Sequence, residues 1–172
     1  MNKYNFILLI SVLLVAVSLS SCEKDDLCDP NLSVTPRLII VFKDITNFET
    51  SKTVDELQVR EIGYTEFAPL NSNGTTFLTD VDSIAIPLRT TGVMTNYEFF
   101  KNDENGLNID SVDFNYILEE IYINRACGYK MIYNQLGAFR QPEATGEEWI
   151  RDIQVITPNV TSNNDIHIEI RH

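Results

Sequence analysis

From Thr35 onward, hydrophobic and polar residues alternate along the chain with a period of two, the period of a β-strand. Ile84, Ile86 and Leu88 show this alternation clearly, whereas residues 37–43 (RLIIVFK) form a continuous apolar run that predicts a strand buried on both faces. The helical period of 3.6 is hardly present. The pattern predicts an all-β protein of about eight strands, at residues 37–43, 57–60, 84–88, 97–101, 112–116, 129–136, 149–157 and 166–170.

Residues 118–124 are the segment whose pattern is most ambiguous between helix and strand. We predict that Glu119 and Glu120 turn the chain into a short strand that contains Ile121 and Ile123.

Residues that favour turns separate the predicted strands. The segments 72–74 (SNG) and 102–106 (NDENG) end in glycine after asparagine, and Pro87 predicts an edge strand or a bulge because proline cannot donate to a ladder. We expect an immunoglobulin-like or transthyretin-like β-sandwich, and an open β-barrel is the alternative. No repeat or long linker divides residues 35–172, so we expect them to form a single domain.

An apolar segment precedes this domain. Lys3 is followed by the 14-residue run 6–19, which fits a secretory signal and is shorter than the about 20 residues that a membrane-spanning helix needs. The run ends in Leu19-Ser20-Ser21-Cys22, which resembles the bacterial lipobox, and a chance cysteine beside an ordinary signal is the alternative. The resemblance implies a signal peptide at 1–21, a lipidated Cys22 acylated on its thiol and amine, and a tether at 22–34.

The charge of the chain limits its partners. Removing residues 1–21 removes Lys3 and leaves 12 basic residues against 25 acidic ones, a net charge of −13. Nucleic acids and anionic lipid surfaces would repel such a domain, so we expect neither as a partner.

The chain contains three cysteines. If Cys22 carries lipid, Cys28 and Cys127 remain as a pair in an oxidising compartment, which predicts a disulfide between them. Two buried free thiols are the alternative.

Candidate catalytic and metal-binding residues are few. His167 and His172 are the only histidines, and the alternation in 165–172 predicts that His167 lies on a solvated strand face, opposite Ile166 and Ile168. The acidic turn 103–106 departs from a calcium loop, because Lys101 and Val112 would occupy its two acidic ligand positions. The seven glycines are scattered, so no phosphate-binding loop is indicated. We therefore predict no catalytic residue, no metal site and no cofactor.

Aromatic residues crowd the second half of the chain. We expect most of them to fill the core, and an exposed platform for a sugar or a protein is the alternative. They are Tyr116, Tyr122, Tyr129, Tyr133, Phe139 and Trp149.

Several segments together resemble a family of small Gram-negative lipoproteins known only as a domain of unknown function. They are Cys28, 35–40 (TPRLII), 124–130 (NRACGYK) and 149–150. The resemblance implies no activity and no catalytic residue.

Two short motifs resemble signals of such bacteria. The residues after the lipid-bearing cysteine resemble an outer-membrane sorting signal, and Ser83 and Ser111 stand in Asp-Ser-apolar motifs that resemble O-glycosylation acceptors. The sorting residues are Glu23, Lys24, Asp25 and Asp26.

These observations leave two hypotheses for function. The first is a non-catalytic binding or structural module of the cell envelope, anchored in the outer membrane and in one form displayed at the cell surface. Its partner is an envelope protein or a glycan, and a fimbria-like or glycan-uptake subunit is a variant. The second is a small envelope hydrolase, which would need a cleft with converging acids or a histidine with a shifted pKa.

Overall fold

The computed structural model describes residues 27–29, 34–104, 106–143 and 148–172. These residues form eight strands: β1 (Leu38–Lys43), β2 (Gln58–Glu61), β3 (Ser83–Ile86), β4 (Met94–Asp103), β5 (Gly106–Asn124), β6 (Gly128–Arg140), β7 (Asp152–Val155) and β8 (Ile168–Arg171). They form two four-stranded sheets, ordered β3-β1-β8-β7 and β2-β4-β5-β6. Neither sheet closes into a barrel, so the predicted β-sandwich is confirmed, and the described residues contain no helix.

Strand β1 lies in the interior of the first sheet, as its apolar run predicts. It pairs antiparallel with β3 and parallel with β8, and Ile40 stands opposite both Ile84 and Ile168. Strand β3 is the edge of this sheet and stops at Ile86, directly before Pro87. The edge position predicted from that proline is therefore confirmed.

The second sheet is built around the β4–β5 hairpin. Strand β5 continues without interruption through Glu119 and Glu120 to Asn124, so the turn predicted there is wrong. Both glutamates are exposed, and Asn134 of β6 donates a hydrogen bond to Glu119 at 2.7 Å. Two consecutive exposed acidic residues within a long strand therefore resembled a turn signal.

The core between the sheets is rich in aromatic side chains. Phe99 and Phe114 pack edge-on with ring centroids 6.3 Å apart, and Tyr116 and Tyr133 do so at 4.9 Å. Burying such rings contributes strongly to stability, because each removes a large apolar area from water.

Three buried tyrosines also hold the chain that follows β3. Tyr97 donates a hydrogen bond to the carbonyl of Pro87, Tyr133 to that of Leu88 and Tyr116 to that of Arg89. Burial raises the pKa of all three hydroxyl groups. Three consecutive carbonyls therefore find donors from the opposite sheet, although no ladder continues there.

The position predicted for His167 is wrong. Its side chain is fully buried, and its Nδ1 accepts a hydrogen bond from the backbone N–H of Ile39 at 3.0 Å. Ile166, which was expected to face the core, is 45% exposed. The alternation holds only within β8 itself, because His167 precedes the strand and caps the neighbouring β1.

The described residues form two compact units. The larger comprises Thr35–Ile121 and the described part of Met131–His172. The smaller comprises the hairpin tip Tyr122–Lys130 with residues 27–29 and 34, and within it Cys28 and Cys127 form the predicted disulfide. In the described parts of the chain, no helix is long and apolar enough to cross a membrane.

Candidate ligand-binding cleft

A cleft of about 630 Å³ opens in the larger unit, where the end of the β4–β5 hairpin meets the segment that follows β6. Lys52, from the loop after β1, and His172, after β8, complete its wall. Its other lining residues are Lys101, Asp103, Gly106, Leu107, Asn108, Ile109, Glu143, Glu148, Trp149 and Arg151.

Trp149 forms an aromatic base to this cleft. It is 6% exposed, and its indole Nε1 donates a hydrogen bond to the carbonyl of Phe99 at 3.2 Å. The imidazole of His172 packs edge-on against it at 5.6 Å, and the ammonium of Lys101 lies 6.0 Å from its ring centroid. These contacts fix the ring, and with only 6% of its surface exposed it is not an open stacking platform.

His172 is held as a neutral imidazole. Burial and, to a smaller extent, the nearby Lys52 ammonium lower its pKa to about 4. Lys52 Nζ donates a hydrogen bond to the carbonyl of His172 at 2.9 Å. The side chain therefore contributes an aromatic surface at neutral pH and no charge.

Asp110 holds the segment behind the cleft in place. Its carboxylate is fully buried on β5 and accepts hydrogen bonds from the backbone N–H groups of Trp149, at 3.3 Å, and Ile150, at 2.7 Å. The carboxylate supplies the acceptors that the backbone of a neighbouring strand would otherwise supply, and it thereby fixes the position of the indole.

Glu143 interacts with the Asp110 side chain. Its Oε1 is buried, and no hydrogen-bond donor in the described residues reaches it. Its side chain lies within hydrogen-bonding reach of the Asp110 carboxyl group, and burial and this contact together raise the pKa of Glu143. The carboxyl group of Glu143 therefore keeps its proton to a higher pH than an ordinary glutamate does.

The remaining charges around the cleft are balanced. Lys101 pairs with Asp103 at 2.8 Å, and Glu148 contacts Arg140 at 3.3 Å and Arg151 at 4.0 Å. The cleft therefore offers alternating donors and acceptors without a strong net field.

A second, smaller depression of about 270 Å³ is acidic. It is lined by Asp55, Glu56, Thr79, Asn102, Asp103 and Glu104. The pKa of Asp55 is raised, chiefly through its hydrogen bond and repulsion with Asp80. Across the described residues, no group of three or more His, Cys, Asp or Glu side chains is arranged to hold a metal ion.

The residues predicted from the sequence lie mostly away from the cleft. Cys22 and Glu23–Asp26 fall outside the described residues. Ser83 is exposed at the start of β3, whereas Ser111 is half-buried in β5 beside Asp110, and O-glycosylation of either stays a prediction.

The aromatic residues divide between the two expectations. Tyr116, Tyr133 and Trp149 are buried in the core, as expected for most of the set. Tyr122, Tyr129 and Phe139 are between 56% and 60% exposed.

Of the residues that build the cleft, the sequence drew attention to Trp149 and His172 but did not bring them together in one site. Lys101, Glu143 and His172 come from three distant segments, and only their spatial convergence defines the site. A weak signal was available at Asp110, an acid at an inward position of an alternating strand.

The fold and site can be compared with known proteins. A family model described as "Family of unknown function (DUF6452)" matches residues 70–172, more than half of the chain. The chain belongs to this family. Its matched region includes β3 to β8 and all the lining residues of the cleft except Lys52. No curated protein and no solved structure matches the chain.

Proposed function

We propose that this DUF6452 protein is a lipid-anchored module of a Gram-negative cell envelope that binds a small polyhydroxylated ligand, such as an envelope glycan, in its cleft. The observation that carries the proposal is the cleft itself, with its balanced charges and the fixed Trp149 ring in its lining. Ligand sites are concave surfaces in which a few placed polar groups set orientation. Carboxylates and cations that neutralise each other suit hydroxyl groups, which both donate and accept hydrogen bonds.

A binding role is supported by how the charged groups are engaged. Asp110 uses both oxygens on backbone N–H groups, and Lys101 and Glu148 are held in ion pairs. Lys101 and Glu148 line the cleft and are prearranged to present hydrogen bonds, whereas the fully buried Asp110 only fixes the segment behind them.

The anchoring part of the proposal rests on the sequence. Leu19-Ser20-Ser21-Cys22 supplies the lipidation signal and Glu23–Asp26 the sorting signal, which together favour the outer membrane. Two or three acyl chains hold a protein firmly, since each buried CH₂ contributes about 0.8 kcal/mol. Mass spectrometry of the N-terminal peptide from cells tests this directly, with Cys22→Ser as the unlipidated control. Protease treatment of intact cells then distinguishes surface display, which predicts digestion, from a periplasm-facing anchor, which predicts protection.

Binding in the cleft is tested with purified protein and a panel of envelope glycans by calorimetry. Arg151 lines the cleft and has a half-exposed side chain, so Arg151→Ala should weaken binding about tenfold by removing a charged hydrogen-bond donor. Lys43→Ala, which removes a cation outside the cleft, is the matched control and should bind normally. Equal loss in both variants would contradict the assignment of the cleft.

A hydrolase is the second candidate, and Glu143 is the observation that favours it. A carboxyl group whose pKa is raised in a cleft is a candidate general acid. Glu143→Gln separates the two functions: a hydrolase would lose turnover, whereas a binding module would keep its affinity within a few-fold.

A further inference from the structure

We propose that the tip of the β5–β6 hairpin, Tyr122–Lys130, rests on the bilayer that carries the lipid anchor, with Tyr122 and Tyr129 in the interfacial layer of a zwitterionic phospholipid. This inference rests on the proposed lipidation of Cys22. It concerns only the smaller unit, which contains the tip and the described residues 27–29 and 34.

The covalent connections limit how far the tip can lie from the anchor. Cys28 is six positions after Cys22, and an extended chain covers at most about 22 Å over those six steps. The disulfide then places the Cα of Cys127 4.9 Å from that of Cys28. Cys127 is therefore tied to within about 27 Å of the lipid-bearing residue, roughly the thickness of a bilayer's hydrocarbon core.

The tip presents apolar surface of the kind found where proteins meet membranes. Tyr122 and Tyr129 are 56% and 60% exposed, and their rings pack edge to face with centroids 5.2 Å apart. Leu27, one residue before the disulfide, is 82% exposed. Tyrosine is enriched at membrane interfaces because its ring enters the acyl boundary while its hydroxyl stays hydrated.

The charge of the tip differs from that of the chain. Residues 122–130 contain Arg125 and Lys130 and no acidic residue, a net charge of +2, whereas the whole chain carries −12. Long basic side chains reach phosphate groups from the interface while their stems cover apolar surface. Glu119 and Glu120 precede the tip along β5. These acids disfavour an anionic surface, and for this reason we assign a zwitterionic one.

Fluorescence quenching by lipids tests the contact. The full lipidated protein carrying Tyr129→Trp is reconstituted into phosphatidylcholine vesicles with or without bromine on the upper acyl chain. The native Trp149 is buried in the larger unit and supplies a constant background. Phe139→Trp is the matched control, because Phe139 is also 60% exposed on β6 but belongs to the larger unit.

We expect bromine to lower the added emission of Tyr129→Trp about twofold or more and to leave that of Phe139→Trp unchanged. Tyr122→Trp should repeat the result if Tyr129→Trp does not fold. Equal quenching of tip and control, or none at the tip of a vesicle-bound protein, would overturn the docking while leaving the anchor intact. If the emission depends on protein concentration when no bromine is present, the tip contacts a second copy of the protein. That result would also overturn the docking. If the native protein isolated from cells carries no lipid on Cys22 and stays in solution, the anchor is refuted, and the docking with it.

Discussion

Asp110 Oδ2 accepts a hydrogen bond from the backbone N–H of Ile150 at 2.7 Å, between residues 40 positions apart in the chain. This contact joins β5 to the segment that carries Trp149 and so connects the core with the cleft. The first prediction follows from it.

Asp110→Ala should lower the free energy of unfolding by about 3 kcal/mol, because it leaves two buried backbone N–H groups without an acceptor. The midpoint of urea unfolding measures the change. Asp113→Asn, three residues further along β5 and half-buried, is the matched control and should shift stability by less than about 1 kcal/mol. Similar losses of stability in both variants would show that the Asp110 hydrogen bonds contribute no more than the contacts of Asp113.

Glu143→Gln should remove one component of the pH dependence of stability. The pKa of Glu143 is raised in the folded protein, so the folded state keeps a proton that the unfolded state releases above its ordinary pKa of 4.5. Its stabilising effect is present below 4.5 and is lost as the pH rises through the raised pKa.

In the Glu143→Gln variant, the amide can donate to Asp110 without a titrating proton. The free energy of unfolding, measured between pH 4 and 8, should therefore fall less steeply above pH 4.5 in this variant than in the native protein. An unchanged pH profile would contradict the raised pKa of Glu143.

His172 should titrate far below an ordinary histidine. Its folded pKa is about 4 against an ordinary value of 6.5, so the unfolded state binds a proton first as the pH falls. Stability should be lost between pH 6.5 and 4, by about 2 to 3 kcal/mol at most, with the opposite slope to that of Glu143. Proton NMR of the imidazole measures the midpoint, and a value near 6.5 would contradict the burial of this ring.

Tyr133→Phe should cost about 1 to 2 kcal/mol, since it leaves the carbonyl of Leu88 without its buried donor. Tyr129→Phe removes a hydroxyl from an exposed ring on the same strand and should be neutral. Thermal unfolding of the two variants side by side provides the comparison. Equal stability would indicate that water replaces the hydroxyl of Tyr133.

Strands β1 and β3 of the first sheet were predictable from local pattern. The run 37–43 predicted β1 almost to the residue, and Pro87 predicted the edge position of β3. Local pattern failed where the deciding partner is distant: His167 looked solvated because Ile39, which donates to it, is 128 residues away.

The candidate cleft was beyond sequence reasoning for the same reason. Lys52, Lys101 and His172 reach it from separate parts of the chain, and nothing local marks them as neighbours. The disulfide was predictable because counting cysteines needs no knowledge of geometry.

The parallel pairing of β1 with β8 has a consequence for how the protein folds. Ile40 and Ile168 are partners across 128 positions, so the first sheet cannot be completed until residues near 171 are available to it. Such pairing has a high loop-closure entropy and folds on the scale of milliseconds to seconds. A chain delivered from its amino end would carry an open β1 edge until its last strand arrived, and this interval is when it is most exposed to aggregation.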